Sequence, residues 1–143
     1  MNWNLNTEHY YIRFSHEEDI PNIYGLLSTN SVVKYHPKNP MVVEAQAMDE
    51  ARRMVMQFEA KEAAFWLVEE KITGKVIARL SLKKFNWVGA SAQLQVDIFT
   101  DFKTQAVLAE LVYAVATLAY EDLSLHRLEW NLLAEDTGST DIA

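Results

Sequence analysis

Residues 94–130 constrain the fold of this chain more than any other stretch. Leu94 to Phe99 reads as a strand, Gln105 to Leu123 carries apolar residues at helical spacing, and Arg127 to Leu132 reads as a second strand. Strand, helix and returning strand make a β-α-β crossover, which demands a sheet for the helix to cover. The joint between strand and helix is also where many folds hold a phosphate. The first turn of a helix has free backbone N–H groups and the positive end of the dipole. Such joints usually carry glycines so that backbone can approach the anion. Here the joint reads Thr100-Asp101-Phe102-Lys103-Thr104-Gln105-Ala106-Val107-Leu108, with no glycine.

The rest of the chain supplies that sheet. His9 to Ser15 reads as a strand with Tyr11 and Arg13 on one face and Tyr10, Ile12 and Phe14 on the other. Ser15 with Glu18 resembles a capping box, opening a helix to about Ser28 with Ile20, Ile23, Tyr24 and Leu27 on its apolar face. Thr29 to Pro40 reads as a loop. Val42 to about Lys61 reads as a second helix with Ala47, Ala51, Met54, Val55 and Phe58 inward. Phe65 to Glu69 and Val76 to Lys83 read as a hairpin around Thr73-Gly74, and Asn86 to Ala90 as a further turn before a strand from Ser91 to Phe99. The order is β-α-α-β-β-β-α-β. It predicts one α+β domain over residues 1–143, with a mixed, mostly antiparallel sheet.

Composition narrows the functional classes. The chain is half hydrophobic and 23% charged, as expected of a folded globule. A net charge of −7 with no basic cluster argues against nucleic-acid binding. It leaves room for an anionic ligand held by backbone amides. With no cysteine there is no disulfide, thiolate metal site or cysteine nucleophile, and the four histidines lack metal-ligand spacing. No apolar run approaches the roughly 18 residues of a membrane span, and the first residues lack the pattern of a secretory signal. The expected compartment is the cytoplasm.

Two runs carry a resemblance. Glu69-Glu70-Lys71-Ile72-Thr73-Gly74-Lys75-Val76-Ile77-Ala78 looks like the central hairpin of the GNAT N-acetyltransferase superfamily. Leu118-Ala119-Tyr120-Glu121-Asp122-Leu123-Ser124-Leu125-His126-Arg127-Leu128-Glu129 is similar to the A-F-x-E-L-x-L-H-R-L-E run of its ribosomal-protein N-terminal acetyltransferase branch. Tyr11-Ile12-Arg13 followed by Asp19 matches the family's usual opening, and the likeness covers most of residues 10–143. It implies a three-layer GNAT fold, acetyl-CoA as co-substrate and a primary amine as acceptor, either a protein N-terminus or a small amine. It also implies roles. Backbone groups of Val96, Asp97 and Ile98 would pair with the pantetheine arm and polarise the thioester carbonyl. The loop amides of Lys103, Thr104, Gln105, Ala106, Val107 and Leu108 would hold the pyrophosphate. The strand from Leu94 would splay from Arg127 to Leu133.

The chain departs from the family in three places. Ala106 and Leu108 replace the small residues of the R/Q-x-x-G-x-G/A loop, and the Leu108 side chain is expected to crowd a phosphate. Gln93 stands where many relatives have a glutamate base; an amide takes no proton near neutral pH, so Gln93 would orient an amine or a water. Asp136 and Ser139 stand at the family's asparagine and serine, implying contact with CoA and its leaving thiolate. On residue type alone both suit a helix N-cap. The sequence given ends at Ala143, before the closing strands of the family, and Arg127 to Leu133 is then expected as an open edge able to pair with a second copy. The alternative reading is a catalytically inactive GNAT-fold module that works in protein binding or oligomerisation. His126 is expected to shape the helix-to-strand turn rather than to act as a base. Lys103 suits a solvated loop, and Trp87 a turn that could line an acceptor pocket.

Overall fold

The computed structural model describes residues 3–33 and 39–130. Its strands are β1 (Leu5–Asn6), β2 (Tyr10–Arg13), β3 (Ala64–Glu70), β4 (Val76–Asn86), β5 (Ser91–Ile98) and β6 (Arg127–Trp130). Its helices are α1 (Ile20–Leu27), α2 (Asn30–Val33), α3 (Glu44–Glu59) and α4 (Gln105–Thr117). The strands lie side by side in chain order in one sheet. Every neighbouring pair is antiparallel except β5 and β6, which run parallel because α4 carries the chain back across the sheet.

The sheet is covered on both faces, so β3 reads as a continuous apolar run. Ala64, Trp66 and Val68 pack with Leu80, Leu82 and Leu94 against Leu108, Leu111 and Val115 of α4. Phe65 and Leu67 pack on the opposite face with Ile23, Leu26 and Leu27 of α1 and Ala47 and Met54 of α3. Those layers are the expected α+β arrangement. No described helix is long and apolar enough to cross a membrane.

Local differences have local causes. β1 was not legible in a two-residue segment; it exists by pairing Leu5 and Asn6 with Ile12 and Tyr11. The expected cap of Ser15 and Glu18 shifts by one residue: Asp19 accepts from the His16 N–H at 2.7 Å. Arg13 draws Asp19 there with two bonds of 2.7 and 3.0 Å. Burial raises the Asp19 pKa, but Arg13, His16 and Asn22 outweigh it and hold the carboxyl below its usual range. One helical turn, α2, lies in the expected loop. α3 begins at Glu44 because Val43 cannot cap it; the Gln46 amide oxygen accepts from Val42 and Val43 instead, at 2.7 and 3.1 Å. Val55, expected inward, is 54% exposed.

The turn between β4 and β5 places Ala90, not Gly89, in the left-handed region, with φ 54°. A Cβ at Gly89 would lie 2.9 Å from Asn86 Nδ2 and displace that side chain, whose Oδ1 accepts the Gly89 N–H at 2.8 Å. After α4 the helix widens through one π turn, Leu118–Asp122. Leu125 then buries its side chain and donates to the Ala119 carbonyl at 2.9 Å. The His126 and Arg127 N–H groups both reach the Ala90 carbonyl, at 2.7 and 3.1 Å. The Leu125-His126-Arg127 run thus seats β6 beside β5, and the exposed His126 shapes the turn through its backbone.

Candidate functional site

The geometry centres on β5. Its Phe99 N–H donates to the Ile77 carbonyl on β4, and its Ala90 carbonyl accepts from β6. Backbone groups alternate along a strand, so odd-numbered residues of β5 address β4 and even-numbered ones address the β6 side. Pairing with β6 runs from Ser91–Arg127 to Leu94–Trp130. Past Leu94 no described strand covers that edge, and the peptide groups of Val96 and Ile98 face it. The Asp97 amide points the other way, to β4. Of the three residues expected to pair with a pantetheine arm, the alternation therefore places two.

A single 3-10 turn, Thr100–Phe102, joins β5 to α4. It ties up the Phe102, Lys103 and Thr104 amides internally, on Phe99, Thr100 and Phe102 carbonyls. Thr104 caps α4, its hydroxyl accepting from the Val107 N–H at 3.3 Å, and its carbonyl accepts from Leu108. The Gln105 and Ala106 N–H groups are left without a partner among the described residues. They form the anion-accepting end of the helix. No residue from Thr100 to Leu108 has a positive φ, so this path needs no glycine.

Leu108 corrects the expectation of crowding. It is 2% exposed and packs in the core with Leu111 and Val115, turned away from the helix mouth. A small residue here would leave a cavity and open no space for a phosphate. Of the six loop residues expected to hold a pyrophosphate, Gln105 and Ala106 present open amides; the other four have theirs engaged or, in Leu108, inside the helix. Lys103 and Thr104 are exposed at the same mouth. Asp136 and Ser139, and all but the first part of the Arg127 to Leu133 edge, lie outside the described residues.

On the opposite face of the sheet, β4 and β5 floor a cleft of about 530 Å³ under α1, α2 and α3. Its polar lining is a chain of contacts. Lys83 Nζ donates to Gln95 Oε1 at 2.7 Å, and Gln95 Nε2 to Asp97 Oδ1 at 3.0 Å. Arg79, 2% exposed, donates to Asp97 at 3.0 Å and to Glu50 at 2.6 Å. Arg53 reaches the same Glu50 carboxylate through two bonds of 2.7 and 2.6 Å. Burial raises the Glu50 pKa, but Arg53 and Arg79 outweigh it and bring it to about 2. Burial would also strip the proton from Arg79, yet Asp97 and Glu50 hold it in place. Burial first, and Arg79 second, lower the pKa of Lys83. Gln93 lies on this face too, directly across from Lys83 in the β4–β5 register. Trp87, by contrast, packs on Phe85 and donates to the Lys61 carbonyl, away from the cleft lining.

Sequence reasoning missed Glu50, Arg79, Lys83 and Gln95. A signal existed: Arg79, Ser81 and Lys83 recur at every second residue of β4. Polar alternation in a strand ordinarily marks a solvated face, so only the overlying helices reveal that this one is covered.

A family model described as "Acetyltransferase (GNAT) domain" matches residues 10–143. No curated protein matches the sequence. Among solved structures, the ribosomal-protein α-N-acetyltransferase RimL in complex with coenzyme A is similar at 12% identity and a TM-score of 0.85, covering 97% of this chain and 80% of that one. Spermidine N-acetyltransferase from Vibrio cholerae, in complex with CoA and spermine, is similar at 15% identity and a TM-score of 0.80, covering 94% and 77%. A ribosomal-protein alanine acetyltransferase from Vibrio fischeri is similar at 15% identity and a TM-score of 0.77, covering 99% and 80%. At these identities the likeness establishes a shared fold.

Proposed function

This chain belongs to the GNAT acetyltransferase family, and from that premise we propose that it transfers an acetyl group from acetyl-CoA to a primary amine, on a protein N-terminus or a small molecule. The observation that carries the proposal is the open edge of β5 running into the two open amides at the mouth of α4. The Val96 and Ile98 backbone groups would pair with the pantetheine arm. Gln105 and Ala106, with Lys103 and Thr104 alongside, would hold the pyrophosphate. Leu108 fits because its side chain is in the core, and the helical path fits because it asks for no glycine.

The thioester supplies an activated acyl group. The amine would reach it from the cleft under α1 and α3, and its nitrogen must be neutral to attack. A backbone N–H at the open edge of β5 would polarise the carbonyl. The described carboxylates at and below the cleft are poor bases: Glu50 is held at about 2, Asp97 is engaged by Arg79, and Asp49 is paired with Arg52. Gln93 is therefore assigned to holding a water that takes the proton. Asp136 and Ser139 are retained as expected contacts of CoA on the strength of the family pattern.

Calorimetry with CoA and acetyl-CoA tests the donor site. Saturable binding supports it, and none at millimolar ligand overturns it. Release of CoA thiol with a panel of amines then separates an enzyme from a non-catalytic module, which would bind without turnover.

A further inference from the structure

Among the described residues, Lys83 is the cation lining the cleft that has no carboxylate within ion-pair distance. Glu50 is shared by Arg53 and Arg79, and Asp97 is held by Arg79 and Gln95. Those two carboxylates answer the two arginines, and Asp49, the third carboxylate at the cleft, pairs with Arg52 at 3.1 Å. Lys83 remains. Its ammonium has three donors, and one goes to the Gln95 carbonyl oxygen, which is neutral. Among the described residues it meets no carboxylate. Lys83 is half-buried, with the Phe65 ring 5.9 Å from its ammonium, and partial burial of an ammonium without an anion is costly.

A second group nearby is also unsatisfied. Ser81 is fully buried, and its Oγ has no hydrogen-bond partner among the described residues. It stands between Arg79 and Lys83 on the same strand face, directly across from Gln95, and all three of these line the cleft. Ser81 lies beneath the lining, fully buried, so an anion in the cleft would accept from the Lys83 ammonium.

We propose that Lys83 anchors a carboxylate carried by the acceptor amine, so that the acceptor class is carboxylate-bearing amines rather than polyamines. The inference rests on the functional reading above, which places the amine near Gln93. Gln93 and Lys83 are direct cross-strand partners, so their Cβ atoms stand about 5 Å apart on one face. A carboxylate two or three bonds from the amine spans that distance. Two sources share this chemistry, the α-carboxylate of a free amino acid and an acidic first side chain of a peptide. A polyamine would bring a second cation toward Lys83 and Arg53.

The test pairs binding with turnover. Alanine, alaninamide, an aspartyl peptide amide and spermine are titrated into the whole chain, following the side-chain resonances of Lys83 by nuclear magnetic resonance. The same amines are assayed with acetyl-CoA by thiol release. The expected result is a saturable Lys83 shift with alanine or the aspartyl peptide and none with alaninamide. A charge-assisted bond predicts a preference of about tenfold or more in kcat/KM. Lys83→Gln should erase that preference through KM, and Lys83→Arg should restore most of it; melting curves verify that both variants are folded. Which carboxylate wins distinguishes free amino acid from peptide. Equal response to alaninamide, better use of spermine, no response to either carboxylate, or a preference untouched in Lys83→Gln would each overturn the proposal. Carboxylate-dependent binding without turnover of any amine would sink the enzymatic reading and leave the anchor standing. Turnover without the preference would do the reverse.

Discussion

The two faces of β4 and β5 are built on opposite principles. Toward α4, Leu80, Leu82, Leu94 and Ile98 meet Leu108, Leu111 and Val115 with no polar partner to satisfy. Toward α1 and α3, the facing positions are polar: Arg79, Ser81 and Lys83 on β4, and Gln95 and Asp97 on β5. The apolar face gains stability from each side chain it buries. The polar face gains little, because desolvating charges consumes most of what their pairing returns. A chain that needed only to fold would have filled both faces alike. That difference is the ground on which the polar face is proposed as the one that meets the acceptor.

The comparison is broken most strongly at Arg79. Arg79→Met removes the cation from buried Asp97 and half-buried Glu50 and should cost about 3–5 kcal/mol in urea unfolding. Replacing Arg79, Glu50 and Asp97 together by Met, Leu and Val should recover much of that loss, because no unpaired charge is left behind. If the triple variant is no more stable than the single one, the face is structural after all. Across the sheet, Leu108→Ala should cost about 2–5 kcal/mol and leave CoA affinity unchanged when measured well below melting. Tighter binding would instead return the side chain to the phosphate path.

Of the two faces, acid should attack the polar one. The Glu50 pKa lies below its ordinary 4.5, at about 2, so its contribution is present above 4.5 and is lost as pH falls toward 2. The shift corresponds to up to about 3 kcal/mol. Glu50→Gln should flatten the acid limb of a stability–pH profile, while Leu108→Ala should lower the profile at every pH. A smaller change is expected at the mouth of α4. Thr104→Ala removes the cap for about 1 kcal/mol and frees the Val107 amide, so CoA affinity should hold or rise while stability falls. The smallest effect is at the exposed His9–Glu110 pair. A hydrogen bond to Glu110 raises the His9 pKa above 6.5, so its contribution is complete below 6.5 and fades as pH rises through the raised value. Glu110→Gln should remove that dependence from amide exchange in β1.

Much of this was legible from the chain. The Leu94-to-Glu129 pattern announced a strand, helix and parallel return, and the hairpin at Gly74 announced two more strands, because apolar periodicity is dictated by which face a residue must bury. Gly74 itself sits at φ 72°, where its lack of a Cβ matters. The absence of glycine between Thr100 and Leu108 was equally visible, yet its meaning was not. Whether a side chain blocks an anion depends on the direction of its Cα–Cβ bond, and only the packing of α4 on the sheet turns Leu108 inward. The charge chain from Arg53 to Lys83 was hidden for the same reason. Its members are scattered over residues 50–97, and alternation along β4 cannot tell water from an overlying helix. Sequence alone determined the order and type of the elements, since these follow from local periodicity and turn chemistry. The tertiary structure decided which polar residues share a cleft and which amides stay open, since both depend on what lies across the sheet.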